Sequence, residues 1–233
     1  REAALLNAAR RETNLYSEIA KMAIGWWSRL TLETIMDAIA GIAEGQTPYL
    51  DLLGLLVMTR RFGEAAEFPT EIHQALDREI ARAPLHEVPD EDECGALLGA
   101  VCEILVGQAW PDRVLVRSDQ TGAWHRARGE ERTLAWMRER AARGFRMGVS
   151  DLAFERIFIV LSALIDFAAS DAVWEMATVL MDKMLFLLAV NAYQGVLGVP
   201  RLWTSTPSIL GGYLSATSGI GKVMWGTGVF NQH

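Results

Sequence analysis

Cysteine, histidine and proline are all scarce in this sequence, and each scarcity excludes something. Two cysteines in 233 residues cannot form the disulfide framework that staples small secreted domains. Cys94 and Cys102 are eight positions apart, so on a single helix they share a face, separated by about 12 Å along its axis. That is too far for a disulfide, and both are expected to be reduced core thiols. The four histidines include no pair at metal-ligand spacing, and the two cysteines have no third ligand near them. No metal and no cofactor is therefore expected. The seven prolines fall between apolar stretches, where they start or stop helices.

An excess of basic residues is also missing. Twenty-two Lys and Arg against 29 Asp and Glu give a net charge of -7. Binding phosphates needs a basic face, so nucleic acid is excluded as the main partner. The run Arg138, Arg140, Arg143 and Arg146 sits among Glu130, Glu131 and Glu139 and reads as a solvated helix face. There is no phosphate-cradling glycine loop, no Gly-x-Ser-x-Gly elbow and no dinucleotide fingerprint. The glycines from Gly219 to Gly228 lack a preceding strand. The most apolar run, Met176 to Ala192, is broken by Asp182 and Lys183, and Phe158 to Leu164 is too short to span a bilayer. No membrane span is expected. With no secretory signal pattern, the expected location is the cytoplasm.

Helical periodicity is what the chain does have. A hydrophobic fraction of 51 % is enough for one domain to form its own core. Residues 3–24 read as a helix with an irregularity at Thr13-Asn14. Thr31 caps a second helix that Gly45 stops. Pro48 opens a third, from Tyr49 to Phe62, apolar on most sides and so deeply buried. Pro69 opens a more polar helix to Arg82. Gly95 to Ala109 is again strongly apolar, and Pro111 ends it. Residues 112–124 read as loop, with Val114-Leu115-Val116 as a short strand, and Glu130 to Arg143 as an amphipathic helix. Asp151 caps a helix to Ala169, and Ser170 caps one from Ala172 to about Gly195. A link this short makes that pair antiparallel neighbours. After Gly198, glycines and prolines predict a loop-rich tail with short strands over residues 198–233.

The expected fold is all-α: stacked antiparallel helical hairpins in one domain over residues 1–233, forming part of an α/α toroid. A compact irregular bundle is the alternative. No repeat of 33 to 47 residues is present, which disfavours a standard solenoid. The chain opens at Arg1 within a helical stretch and closes without a cap, so it is expected to be a fragment of a larger toroid.

Three stretches carry a resemblance. They are Gln108-Ala109-Trp110-Pro111-Asp112 with Ser118 to His125; Trp136 to Arg140 with Gly144-Phe145; and Asn191 to Gly198 with Ser218-Gly219-Ile220 and Trp225 to Asn231. Together they resemble large bacterial α/α-toroid proteins of polysaccharide lyase-like or glycosidase-like fold, over about half the chain. The resemblance implies an oligosaccharide or polysaccharide partner. Polar residues of the family pattern are missing at three places. Glu93-Cys94-Gly95 keeps only the acid of a Glu-Asn-His triplet. Met147-Gly148-Val149 replaces an acid, a Trp and an Asp. Val199-Pro200-Arg201-Leu202-Trp203 keeps only the Arg of a basic loop.

A lyase needs a base and a stabiliser for an enolate-like intermediate, whereas a hydrolase needs two carboxyl groups. The candidates for catalysis are His125, Arg201 and Glu93. Those for sugar binding are Trp124, Trp203, Asn191, Tyr193 and Asn231, and His233 is a further polar candidate. Each has a plainer reading. His125 suits a surface histidine beside a packed Trp124, and Glu93 suits a helix N-terminus. Asn191 and Tyr193 suit local bonding to the next loop, and Arg201 suits a surface ion pair. Trp110, Trp124, Trp203 and Trp225 lie in or beside loops, where indoles either stack on sugars or wedge helices together. Two functions follow. The first is a carbohydrate-active domain, either with lyase-like or hydrolytic chemistry or as a catalytically degenerate scaffold. The second is a non-catalytic helical scaffold or protein-interaction module whose partner includes a second copy, making a homo-oligomer. Converging carboxylates or imidazoles in a pocket favour the first, and an exposed apolar patch favours the second.

Overall fold

The computed structural model describes residues 1–11, 13–45, 48–85, 93–146, 151–198, 211 and 215–230. Helix makes up 72 % of the described residues. The only sheets among the described residues are two hairpins with two-residue strands, so the all-α class holds. No helix of the described residues is long and apolar enough to cross a membrane.

Local chemistry sets the first boundaries. The irregularity at Asn14 is a cap: α1 (Glu2–Ala9) stops, and α2 (Leu15–Ala23) starts with the Asn14 side chain accepting from Ser17 N while Ser17 accepts from Asn14 N. This reciprocal pair satisfies two amides the helix start leaves open. Thr31 precedes α3 (Leu32–Glu44) without a side-chain cap bond; its own amide donates to the buried Glu18 carboxylate at 2.8 Å. Gly45 ends α3 at φ 69, a left-handed conformation that costs glycine nothing. Pro48 precedes α4 (Tyr49–Phe62), and Pro69 precedes α5 (Thr70–Glu79), which tightens into a 3₁₀ turn from Ile80 to Arg82. As its composition demands, α4 is buried on most sides through Leu52, Leu53, Leu55, Leu56 and Met58.

The centre of the fold is the pair α6 (Glu93–Ala109) and α7 (Gly122–Arg143). They run antiparallel: Gly107 of α6 meets Gly122 and Arg126 of α7, while Gly129 of α7 meets Ala100, Glu103 and Ile104 of α6. The approach needs glycine. A Cβ at Gly129 would lie 2.6 Å from the Ala100 carbonyl oxygen, and one at Gly107 would collide with the Gly122 carbonyl. Here the structure differs from the sequence reading, which has loop over residues 112–124 and begins the helix at Glu130. Thr121 is the N-cap, accepting from Trp124 N at 3.3 Å, so Trp124 and His125 lie in the first turn of α7. The loop before it forms a hairpin, β1 (Val114–Leu115) with β2 (Gln120–Thr121).

Helix α8 (Asp151–Phe167) packs on α9 (Asp171–Asn191), and both rest on the central pair. Gln108 ties the short α8–α9 link down: its amide donates to Phe167 O at 2.9 Å and its carbonyl accepts from Ala169 N at 3.0 Å. Lys183, which interrupts the apolar run of α9, donates to the Arg140 and Ala141 carbonyls at the end of α7. A cation there offsets the negative helix end. Helix α9 stops at Asn191, four residues before the expected stop. The chain then makes a second hairpin, β3 (Ala192–Tyr193) with β4 (Val196–Leu197). Within the stretch expected to be loop with strands lies a helix, α10 (Ser218–Trp225). Gly226 ends it at φ 73, and Ser218 Oγ at its start accepts from Val229 N at 3.2 Å, tying down the chain beyond it. One apolar core joins these layers, including Ile35, Leu53, Ile72, Val101, Phe154, Leu164 and Leu180. Burying each such side chain contributes about 1.5–3 kcal/mol.

Candidate functional site

The most concentrated polar chemistry lies where the β1–β2 hairpin meets α6 and α7. Leu115 is buried under the hairpin, and Val116 N donates to Ala81 O at 2.7 Å, which holds the hairpin against the 3₁₀ turn after α5. Its tip turns through Asp119 at φ 53, a left-handed conformation Asp tolerates better than most residues. This places Ser118 over the first turn of α7. Ser118 Oγ lies 2.7 Å from His125 Nε2. His125 Nδ1 lies 3.3 Å from Glu103 Oε1. Glu103 also accepts from Arg128 and, at 3.4 Å, from Arg132. His125 and Glu103 are both 0 % exposed.

The hydrogen-bond roles in this chain follow from the inventory of donors. Arginine only donates, so the Glu103 carboxylate facing Arg128 and Arg132 acts as an acceptor. Nδ1 of His125 must then carry the hydrogen it presents to Glu103. In the neutral imidazole Nε2 is the lone-pair nitrogen and accepts from the Ser118 hydroxyl, whereas in the imidazolium Nε2 donates to Ser118 Oγ. Trp124 covers one side of this group. Its ring meets His125 edge-on at 5.0 Å, and the Arg128 guanidinium lies 5.5 Å from its centroid. The indole is 44 % exposed, so the group ends at the surface in a serine and an aromatic ring.

Of the candidates named from sequence, the structure brings Trp124 and His125 together. Glu93 is the first residue of α6. Asn191 closes α9, with its amide donating to Leu187 O at 2.8 Å, which is the local role of the plainer reading. Tyr193 is 76 % exposed on β3, and Gln194 Nε2 approaches its hydroxyl at 3.4 Å. No hydrogen bond, ion pair or ring contact among the described residues joins Asn191 or Tyr193 to Trp124 or His125. Arg201, Trp203, Asn231 and His233 lie outside the described residues. Sequence reasoning passed over Glu103, Arg128, Arg132 and Ser118 as a group. One signal was available: Glu103 is a lone acid inside an apolar helix, and a buried carboxylate needs partners.

Other residues of the family-like stretches hold the fold together. Trp110 Nε1 donates to Asp77 at 2.9 Å, and Arg113 reaches the same oxygen at 2.8 Å. The hydrogen bond from Trp110, then that from Arg113, lowers the Asp77 carboxyl below its ordinary range. Both cysteines are buried in α6 outside any disulfide, and burial pushes the Cys102 thiol well up, which keeps it an inert core group. Burial likewise raises Asp51 and Tyr16. Among the described residues no group of three or more His, Cys, Asp or Glu is set to hold a metal. An open, mostly apolar cleft of ≈ 430 Å³ lies between α4, α8 and α10, walled by Val57, Phe158, Ile159 and Ile220, with the Arg61–Asp166 ion pair beside it.

The exposed apolar residues gather elsewhere. Val179, Phe186, Val190 and Tyr193 are 58, 64, 58 and 76 % exposed. Spacings of seven and eleven place Val179, Phe186 and Val190 within about 20° of one line along α9. The buried face of the same helix carries Val173, Ala177, Leu180, Met184 and Leu188. Val223, Met224 and Trp225 on α10 are exposed as well. No family model matches the chain, nor does any curated protein or solved structure.

Proposed function

We propose that the chain is a helical interaction module that binds a protein partner through the outer face of α9, and that a second copy of the chain fills that role. The observation that carries this reading is the stripe Val179, Phe186, Val190 and Tyr193. A helix apolar on both sides belongs in an interior, and a solvent-facing apolar line is the form in which one helix presents anchors to a groove. Twofold pairing of like faces is the commonest way for such a surface to be covered. The test is sedimentation equilibrium over a concentration series, on the wild-type chain and on F186E. Self-association of the wild type that F186E abolishes supports the module; a wild type that stays monomeric throughout sinks it.

A second reading keeps a specific observation in its favour. The half-exposed Trp124 with Arg128 beside it is a flat apolar face next to a cation, suited to stacking on a sugar of an acidic or neutral oligosaccharide. In this reading the helices form part of an α/α toroid in the cytoplasm. A glycan-array screen of wild type and W124A decides it. Binding that W124A removes supports the reading, and no bound glycan ends it.

A further inference from the structure

We infer that Ser118 is a nucleophile activated by His125 and Glu103, and that it takes an acyl group from a small ester at the surface beside Trp124. The inference is independent of the α9 face. It rests on connectivity: a hydroxyl at 2.7 Å from Nε2, and a carboxylate at 3.3 Å from Nδ1 of the same imidazole. A serine is a weak nucleophile until a base removes its proton, and the base needs a third group to fix its tautomer. All three parts are present, in that order. The Leu115 carbonyl is a much poorer acceptor for the Ser118 hydroxyl at 3.5 Å, so the proton is directed to His125. Gln120 N approaches Ser118 Oγ at 3.4 Å and takes none of its donor capacity.

A structural role alone does not require this arrangement. Glu103 already has two guanidinium partners, so its burial is accounted for without His125. The histidine nonetheless directs its second nitrogen toward the hairpin tip, where Ser118 is only partly buried between exposed Arg117 and Asp119. The step balances as acyl transfer. A bond forms from Ser118 Oγ to the ester carbonyl carbon, and the hydroxyl proton passes to His125 Nε2. The bond to the alcohol oxygen breaks, and the leaving alcohol takes that proton from Nε2. Water then attacks the seryl ester, giving its proton to Nε2 and then to Ser118, and releases a carboxylic acid. Trp124 offers an apolar face to one side of the ester, which fits an ester with an apolar or aromatic group. Ser118 and His125 touch the reacting atoms; Glu103 is a positioning residue that acts through His125.

The experiment is labelling with a fluorophosphonate, which forms a bond from Ser118 Oγ to phosphorus and expels fluoride. Intact mass and peptide mapping read the site, and the rate is followed against pH. The expected result is a single adduct on Ser118 that is absent from S118A. Its rate should rise with pH as the imidazole loses its proton, and fall at least about 100-fold in H125Q. Because H125Q changes a buried residue, its circular dichroism is compared with wild type. The exposed-side variant S118A and the wild-type pH profile keep the test decisive if H125Q unfolds. E103Q should slow labelling and shift the pH profile in the folded protein, which a merely structural Glu103 would not do. No adduct on Ser118, or one that forms in the native chain no faster than in the urea-unfolded chain, overturns the inference.

Discussion

Two interfaces of this molecule invert the usual distribution of polarity. Between α6 and α7, a carboxylate and an imidazole are fully buried and the backbones touch through glycine. On the outer side of α9, by contrast, Val179, Phe186 and Val190 face water, as does Tyr193 on the strand that follows. Residue type alone would have placed both groups the other way round. What separates them is whether a partner is present in the chain. Glu103 has His125, Arg128 and Arg132, and a charge met by several donors can be buried. Phe186, Val179 and Val190 are exposed and have no such partners among the described residues.

The sharpest way to break the comparison is to remove the charge at its centre. E103A leaves one imidazole and two guanidinium groups facing a vacated, dry site. It should cost roughly 3–5 kcal/mol, read as a lower urea midpoint with unchanged slope. Next comes the close approach itself. G107A pushes a methyl group into the Gly122 carbonyl and should cost roughly 1–3 kcal/mol, less the gain of about 1 kcal/mol from better helix propensity. Thermal melts of G107A beside G219A, a helical glycine where an added Cβ meets nothing within 4 Å, separate the two contributions. On α9 the expectation reverses. At concentrations where both chains are monomeric, F186E should leave stability within about 0.5 kcal/mol of wild type, although it replaces an aromatic residue by a charge. A large loss there would show that Phe186 packs within the fold.

The smallest effect is expected at Asp77, which is exposed and paired with Trp110 and Arg113. Its carboxyl is lowered in the folded chain. Its contribution is therefore complete above the ordinary carboxylate pKa, about 3.9. It fades as pH falls through the lower folded value. D77N should change stability at neutral pH by less than about 1 kcal/mol and flatten part of the acid limb of a stability-versus-pH curve. A neutral-pH loss well beyond that would mean the Trp110 anchor is far stronger than an exposed pair.

Helix positions were largely legible because their causes are local. Asn14, Gly45, Pro48 and Pro69 act within one turn of where they stand, and the apolar periodicity of α4 and α6 needs no neighbour to be read. The start of α7 was not legible. Gly122 looks like a turn residue beside Thr121, and only the packing of its backbone on Trp110 shows that it opens a helix. The same misreading left His125 in a surface loop, whereas it is buried at a helix start. The β3–β4 hairpin starts within residues that the sequence reading assigns to the end of α9, and α10 was hidden by glycines that it assigns to loop.

By itself, then, the sequence determined that the chain is helical, where most helices begin and end, and that it has apolar surface to spare. These follow from backbone sterics, capping and side-chain periodicity, which act over a few residues. Only the tertiary structure decided that Ser118, His125 and Glu103 meet, and that the outer stripe of α9 faces water. The partners in the first case lie seven and 22 residues apart, on a hairpin and two helices. Their distance depends on how closely glycine lets two backbones approach, and no local pattern encodes that.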